Sequence, residues 1–191
     1  SIAAAGKWVT PGVINADTHL GVPALGAVRA TRDDSPRGKD NISATFTLWD
    51  GLNSTSILIP PARREGVTNA VMIPGGNQLT SGQAAMITLV DGMPTDLITK
   101  APVAMIAEVG DASAAGVGAR GEVINRLREL IEDTRAFMRN RAAYERAETR
   151  DYAASRLDLQ AMIPVVEGKL PLLIVTDKST DIDAAVRLGK D

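Results

Sequence analysis

His19 is the residue of this sequence whose side chain points most directly to chemistry. It is the single histidine of the 191-residue chain, and the chain contains no cysteine. The absence of cysteine excludes disulfides, zinc–thiolate sites and thiol nucleophiles. Because hydrolytic zinc sites commonly use two or three histidines, His19 can supply only part of one. Its imidazole could bind a metal, orient a bound water, or simply form a hydrogen bond at the end of a strand.

Three carboxylates stand where short apolar runs end. Asp17, Glu108 and Asp177 each lie at or just after a run that predicts a buried strand. A carboxylate that faces a cleft from such a position could act as a metal ligand or a general base. Asp17 could equally cap an Asx-turn, and Glu108 could be a solvated or salt-bridged loop residue. Lys178, next to Asp177, could neutralise a substrate carboxylate, cap helix carbonyls or pair with Asp181.

The elements that would position these residues alternate between strands and helices. Apolar runs bounded by Gly, Pro and polar residues predict strands at 13–16, 67–73, 84–89, 103–109 and 172–175. Helices are predicted at 54–65, about 120–148, 155–163 and 179–188. Pro60 and Pro61 should bend the first helix, Pro164 should stop the third, and Ser179 or Thr180 should cap the last. This alternation favours a parallel sheet covered by helices.

The long helix at about 120–148 has an apolar stripe at spacings of three and four. The stripe comprises Val123, Ile124, Leu127, Leu130, Ile131, Thr134, Phe137 and Met138. The opposite face carries Arg126, Glu129, Glu132, Asp133, Arg135 and Arg139. We interpret this as a helix packed on a sheet with a solvated outer side; a partner-binding face is the alternative.

A polar stretch at 17–45 predicts one long loop. Loops of this length inside a domain are usually functional or mobile. Asp33 and Asp34 lie in this stretch and are predicted to be solvated. Further along, Gly75-Gly76-Asn77 follows a predicted strand, and glycine there could let a ligand approach the backbone closely.

Composition limits the classes of function. Hydrophobic residues make up 45% and charged residues 23% of the chain, so residues 1–191 can form a single domain with a sizeable core. The net charge of −2 gives no footprint for nucleic acid or an anionic membrane surface. No apolar run approaches the ~20 residues of a membrane span, and no signal peptide is visible. Both a cytoplasmic and a periplasmic location remain open.

Residues 6–21 resemble the start of the barrel in the amidohydrolase superfamily, most closely its imidazolonepropionase-related branch. That branch typically reads Thr-Pro-Gly-Leu-Ile-Asp-Ala-His-Thr-His-Leu-Gly, and residues 10–21 read Thr-Pro-Gly-Val-Ile-Asn-Ala-Asp-Thr-His-Leu-Gly. Residues 63–71, 81–87 and 171–182 are similar to later segments of the branch. The resemblance implies an α/β fold, a partial (β/α)8 TIM-type barrel with about four or five strand–helix units. Eight units need ~250 residues, so we expect the N-terminal portion of a barrel, completed by a missing C-terminal segment or by a second copy.

The resemblance also implies a site. Asp17 replaces the first histidine of the family pair, which leaves Asp17 and His19 as the ligands of a divalent metal, zinc being the one expected. Relatives often carry a histidine where Val175 stands, and valine cannot bind metal, so the site in this chain is incomplete or has lost its metal. Glu108 and Asp177 are the further catalytic candidates.

The implied activity is metal-dependent hydrolysis of a carbon–nitrogen bond in a small molecule, such as a cyclic amide or a dipeptide-like substrate. The chain alone is predicted to be inactive, because ligands from the last barrel strands are missing. The alternative is a non-catalytic barrel module that has lost its metal and acts in binding or assembly.

Overall fold

The computed structural model describes residues 3–22 and 33–190, and residues 23–32 of the predicted loop lie outside the described part. Five strands are β1 Val13–Thr18, β2 Val67–Met72, β3 Thr80–Thr88, β4 Ile98–Val109 and β5 Leu172–Thr176. The helices are α1 Ile59–Arg64, α2 Pro94–Leu97, α3 Asp111–Val117, α4 Arg120–Arg139, α5 Arg141–Glu145, α6 Arg156–Val166 and α7 Ser179–Leu188. Short 3-10 turns occupy Lys39–Asn41 and Leu48–Gly51. None of the described helices is both long and apolar enough to cross a membrane.

The strands form one curled sheet in the order β1-β2-β3-β4-β5, a half-barrel in outline. β1 pairs with β2 and β4 pairs with β5 in parallel, whereas β3 is antiparallel to both of its neighbours. The parallel sheet predicted from the alternation of strands and helices is therefore interrupted by one antiparallel strand, β3. The reason is linker length: residues 73–79 join β2 to β3 directly, and a parallel crossover needs about a dozen residues or more. Four of the five strands are followed by a helix, of which α2 is a single turn.

The carboxyl ends of four strands lie along one edge of the sheet. β1, β2, β4 and β5 run in the same direction, so their last residues, Thr18, Met72, Val109 and Thr176, share this edge. We call it the carboxyl edge. The Ile73 N–H donates to the Thr18 carbonyl at 3.0 Å and ties the first two strand ends together. Side chains that follow these four strands are thereby gathered on one side of the molecule.

The two faces of the sheet differ in their cover. Met105, Ala107 and Val109 of β4 are buried in a large cluster with residues of α4 and α6. On the other face, Ala104 and Ile106 join only a small cluster with Ile73 and Ala84. Since side chains alternate along a strand, Glu108 lies on the same face as Ala104 and Ile106. We call this the inner face.

The long predicted helix is two helices. α4 ends at Arg139, and Asn140, with φ −125° and ψ 33°, separates it from α5. Most of the predicted apolar stripe is buried or partly buried, but Met138 is 38% exposed. Asp133 was predicted to lie on the solvated face of the helix. This prediction is wrong, because Asp133 is fully buried.

Two predicted helix boundaries and one predicted helix cap are also corrected. α1 begins at Ile59 rather than at residue 54, with its two prolines in the first turn, where their missing N–H groups cost nothing. Pro164 lies inside α6, which continues to Val166. The Pro164 carbonyl then accepts hydrogen bonds from Lys169 and Leu170, which stabilises the end of the helix. α7 is bounded as predicted, but its N-cap is Lys178, without a side-chain cap.

Candidate active site at the carboxyl edge

His19 lies one residue beyond β1, beside a carboxylate that is distant in sequence. Its Nδ1 is 3.4 Å from Oδ2 of Asp34, whose side chain is only 13% exposed. The prediction that Asp34 is solvated is therefore wrong. The imidazole as a whole is 43% exposed, yet Nδ1 is buried and makes no hydrogen bond of good geometry. The Asp34 carboxylate therefore lies beside one nitrogen of the ring, while 43% of the His19 side chain stays exposed.

Gly75 provides the room for His19. A Cβ built on Gly75 would lie 3.3 Å from Cε1 of His19, closer than most real contacts of this kind. The Gly75 N–H donates to the Asp34 carbonyl at 2.9 Å, so the same glycine holds the backbone of that residue. Glycine at this position thus lets another group lie close to the backbone. The group that does so is the His19 side chain, whereas the sequence suggested a ligand.

Asp17 is not joined to His19. Asp17 is exposed at the end of β1, and no hydrogen bond or ion pair links the two side chains in the described structure. The ladder between β1 and β2 is irregular between Asn15 and Thr18, and the Asp17 N–H donates to the Asn15 side chain at 3.2 Å. In a regular strand, the side chains of Asp17 and His19 would face the same side and could share a metal. The irregular pairing interrupts this alternation of side chains at the end of β1.

Glu108 and Asp177 are brought together by neighbouring parallel strands. Glu108 pairs with Val175 in the ladder, and Asp177 follows β5 by one residue. Alternation places Val175 and Asp177 on one face of β5. Burial, and secondly the negative charge of Asp177, raise the pKa of Glu108 above its ordinary value, while a backbone hydrogen bond from Ser113 acts in the opposite direction.

This raised pKa gives a prediction for stability against pH. A carboxyl group that holds its proton more tightly in the folded state destabilises that state as pH rises from its unfolded pKa, about 4.5, through its folded pKa. We expect Glu108→Gln to gain stability relative to wild type across this range and to keep the gain at neutral pH. Denaturant unfolding at several pH values measures it, with exposed Glu145→Gln as control.

The companion substitution Asp177→Asn should lower the pKa of Glu108, because it removes a neighbouring negative charge. Carbon-13 NMR titration of the Glu108 carboxyl group measures this directly. An unchanged titration curve in Asp177→Asn would show that the two groups do not interact.

Asp177 is hydrogen-bonded to the first residue of α3, which belongs to an ion-pair network. The Asp111 N–H donates to Oδ2 of Asp177 at 3.0 Å, and Lys178 Nζ is 3.0 Å from Oδ2 of Asp111. Arg120 bridges Asp111 and the buried Asp181, the latter at 3.1 Å. Lys178 therefore pairs with Asp111 and not with Asp181. The network fixes the start of α3, α4 and α7 around the ends of β4 and β5.

A complete metal site is not present among the described residues. No group of three or more histidine, aspartate and glutamate side chains surrounds a common point in the described part of the chain. A zinc site needs three or four ligands, and here Asp17, His19 and Asp34 do not converge as such a set. The described residues alone therefore do not form a site that fits the metal.

Comparison with known proteins gives one structural relationship. Neither the protein-family models nor the curated proteins contain a match to this sequence. The structure is similar to the crystal structure of an amidohydrolase from Thermotoga maritima MSB8, with a TM-score of 0.81 and 20% sequence identity. The match covers 95% of this chain and 49% of the other, so the chain spans about half the length of that protein. At this identity the similarity establishes the fold alone: this chain has the fold of about half of that protein.

Sequence analysis missed two features of the site. The first is the contact between Asp34 and His19. Both residues lie in the polar stretch 17–45, which has no periodic pattern from which a contact could be predicted. The network of Asp111, Arg120 and Asp181 joins the starts of three helices. The acidic residues in their first turns were the only local signal, and each had an ordinary explanation in the helix dipole.

Proposed function

We propose that this chain forms one half of a barrel hydrolase that cleaves carbon–nitrogen bonds in small molecules, with its share of the active site at the carboxyl edge. One observation carries the proposal: the chain adopts the fold of half an amidohydrolase, with four strand ends directed to one edge. In barrels of this architecture, catalytic groups collect at the carboxyl ends of the strands. Residues 10–21 favour the imidazolonepropionase-related branch and hence a cyclic amide or dipeptide-like substrate.

His19 is the proposed metal ligand. A histidine that binds a metal through one nitrogen usually directs the other to a carboxylate or carbonyl group, which orients the ring. Asp34, 3.4 Å from Nδ1, is placed for that role and would leave Nε2 for a divalent metal, zinc by preference. Asp17, whose side chain is exposed at the end of β1, is proposed as the second ligand. The remaining ligands would come from outside the described residues.

Glu108 is the proposed general base, with Asp177 as the residue that sets its proton affinity. A base works best when its pKa is close to the working pH, and burial together with Asp177 moves the pKa of Glu108 in that direction. Its position on the inner face, at the carboxyl edge, would direct it to a substrate inside the closed barrel.

The uncovered apolar residues fit a chain that needs a complement. Leu173 and Val175 on β5 are 41% and 38% exposed, and Val13 and Ile14 on β1 are more than half exposed. β1 and β5 are the two edge strands of the sheet and have unpaired backbone groups. We propose that the C-terminal barrel segment, or a second copy of the chain, covers these edges and completes the site.

The metal and His19 provide the test. The protein as its gene encodes it is purified without chelators, analysed for metal, and assayed on cyclic amides and N-acyl amino acids. We expect near-stoichiometric metal, loss of metal and activity in His19→Ala, and a 10–100-fold loss of metal affinity in Asp34→Asn. Asp151→Asn, which alters an exposed carboxylate elsewhere, is the control. Metal-free protein that shows no thermal shift with zinc or manganese would overturn the enzymatic proposal.

A second function is favoured by one observation. Asp17 and Val175 stand where related sequences carry histidines, and this loss of histidines favours a barrel module that has lost its metal and acts in binding or assembly. In that case His19→Ala would leave both metal content and complex formation unchanged.

A further inference from the structure

Arg126 has an exceptional environment for a surface arginine. Its Nε is buried from solvent and has no hydrogen-bond partner, and the guanidinium group makes no ion pair with any described residue. Buried N–H groups nearly always have a hydrogen-bond acceptor, because an unpaired buried donor costs folding free energy. The cost is larger when the unpaired group is charged. Arg126 lines a cavity of about 340 Å³ between α4, the end of α3 and the turn Lys39–Asn41. A ligand in this cavity would supply the missing acceptor.

The cavity carries free donors on one side and free acceptors on the other. On α4, Arg126 lies beside Asn125, whose Oδ1 accepts from Arg128, which leaves the Asn125 NH₂ group as a donor. Across the cavity, Asn41 donates through Nδ2 to the Gly116 carbonyl at 2.8 Å, which leaves its Oδ1 as an acceptor. Asp40 has no hydrogen bond or ion pair with a described residue, and it lines the same cavity. Arg126 and Asn125 of α4 and Asp40 and Asn41 of the turn therefore line one cavity. Glu122 of α4 also lines it, and its Oε2 already accepts the Ala119 N–H at 2.8 Å.

The turn that presents these acceptors is held in an unusual conformation. Asp40 and Asn41 have φ of 54° and 60°, two successive non-glycine residues in the left-handed region. Asn and Asp tolerate this region better than other residues, but each pays a conformational penalty. The hydrogen bond from Asn41 to Gly116 fixes the turn against α3, which keeps the acceptors in place without a ligand.

We propose that this cavity binds a small zwitterion, an α-amino acid or a dipeptide, with its carboxylate on Arg126 and Asn125 and its ammonium group on Asp40 and Asn41. The volume lies at the low end for ligand pockets, which limits the ligand to a few heavy atoms beyond the charged groups. The carboxylates of Asp40 and Glu122 would repel a doubly charged anion such as phosphate, and Val117 offers an apolar contact to a small side chain. This site is separate from Glu108 and Asp177 and does not rest on the proposed hydrolysis.

Calorimetric titration of the protein as encoded tests the site, with L-alanine and L-alanyl-L-alanine as probes. Acetate and methylammonium each carry only one of the two charges, and inorganic phosphate is the comparison for a multiply charged anion. We expect a zwitterion to bind best, Arg126→Gln to weaken it at least tenfold, and Arg126→Lys to fall between. Asp40→Asn should weaken the zwitterion but not acetate. Arg135→Gln, an exposed arginine on the same helix, is the matched control and should bind as wild type.

An NMR readout keeps the test valid if a variant folds poorly. The Arg126 Nε–H resonance, assigned by its absence in Arg126→Gln or by triple-resonance spectra, should shift on addition of L-alanine to the wild-type protein. Tighter binding of phosphate than of either zwitterion would overturn the proposal. So would unaltered affinity in Arg126→Gln, or wild-type protein that gives neither heat nor a shift of this resonance.

Discussion

Replacement of Phe137 by alanine is expected to lower the free energy of unfolding by about 4 kcal/mol. Phe137 is fully buried in the cluster between α4, α6 and the sheet. Its ring meets that of Tyr144 edge to face, with centroids 5.1 Å apart, and Tyr144 stacks on Tyr152 at 5.3 Å. The substitution removes a large apolar group and one aromatic pair, and leaves a cavity.

The composition of the core increases this effect. The chain has only two phenylalanines and two tyrosines, so its core consists mainly of aliphatic side chains and alanine. Small neighbours cannot rearrange to fill the volume of a lost ring, and the cost of a cavity depends on how far a site can collapse.

Urea denaturation followed by circular dichroism measures the change, and Met138→Ala is the matched control. Met138 is the next residue of α4 and is 38% exposed, so its truncation should cost less than about 1 kcal/mol. A loss below about 2 kcal/mol for Phe137→Ala would show that the region around this ring is loosely packed.

Asp133→Ala is expected to lower the free energy of unfolding by about 2 kcal/mol. Asp133 is fully buried, accepts hydrogen bonds from both terminal nitrogens of Arg150, and accepts the Ala153 N–H at 2.7 Å. These bonds hold the irregular segment between α5 and α6 against α4. Removal of the carboxylate leaves a backbone N–H group without its partner and releases that segment.

The size of this effect follows from the unequal burial of the two partners. Asp133 is inaccessible, whereas the side chain of Arg150 is 61% exposed and stays hydrated when its partner is removed. The expected loss is therefore smaller than the roughly 3–5 kcal/mol measured when one partner of a fully buried pair is removed.

Unfolding in urea and hydrogen exchange at the Ala153 amide together test this prediction. Asp151→Ala, an exposed carboxylate in the same segment, is the control and should change stability by less than about 0.5 kcal/mol. Asp133→Ala should also speed exchange at Ala153 selectively. Equal stability of the two variants would refute the role of Asp133 as the anchor of this segment.

The sequence by itself determined most of the local structure. The spacing of apolar residues on α4 correctly placed Val123, Leu127 and Phe137 in the core. All five strands were located, and α7 has the predicted bounds. These features depend on periodicity, because a helix or strand must direct its apolar side chains to one face regardless of what covers that face.

Other features required information that no local pattern holds. Asp133 has the type and position of a solvated residue, and only the arrival of Arg150 from beyond α5 makes its burial favourable. Pro164 was predicted to stop its helix, yet α6 continues past it to Val166, and the Pro164 carbonyl accepts hydrogen bonds from Lys169 and Leu170 beyond the helix. In both cases the partner groups lie outside the element whose pattern was interpreted.

The candidate site shows the same division. The sequence identified His19, Glu108 and Asp177 as residues at strand ends, which is a local property. Only the tertiary structure placed Asp34 beside His19, made β3 antiparallel, and set Glu108 close enough to Asp177 to raise its pKa. Strand order and loop path decide which residues meet, since they join parts of the chain that share no period and no short-range contact.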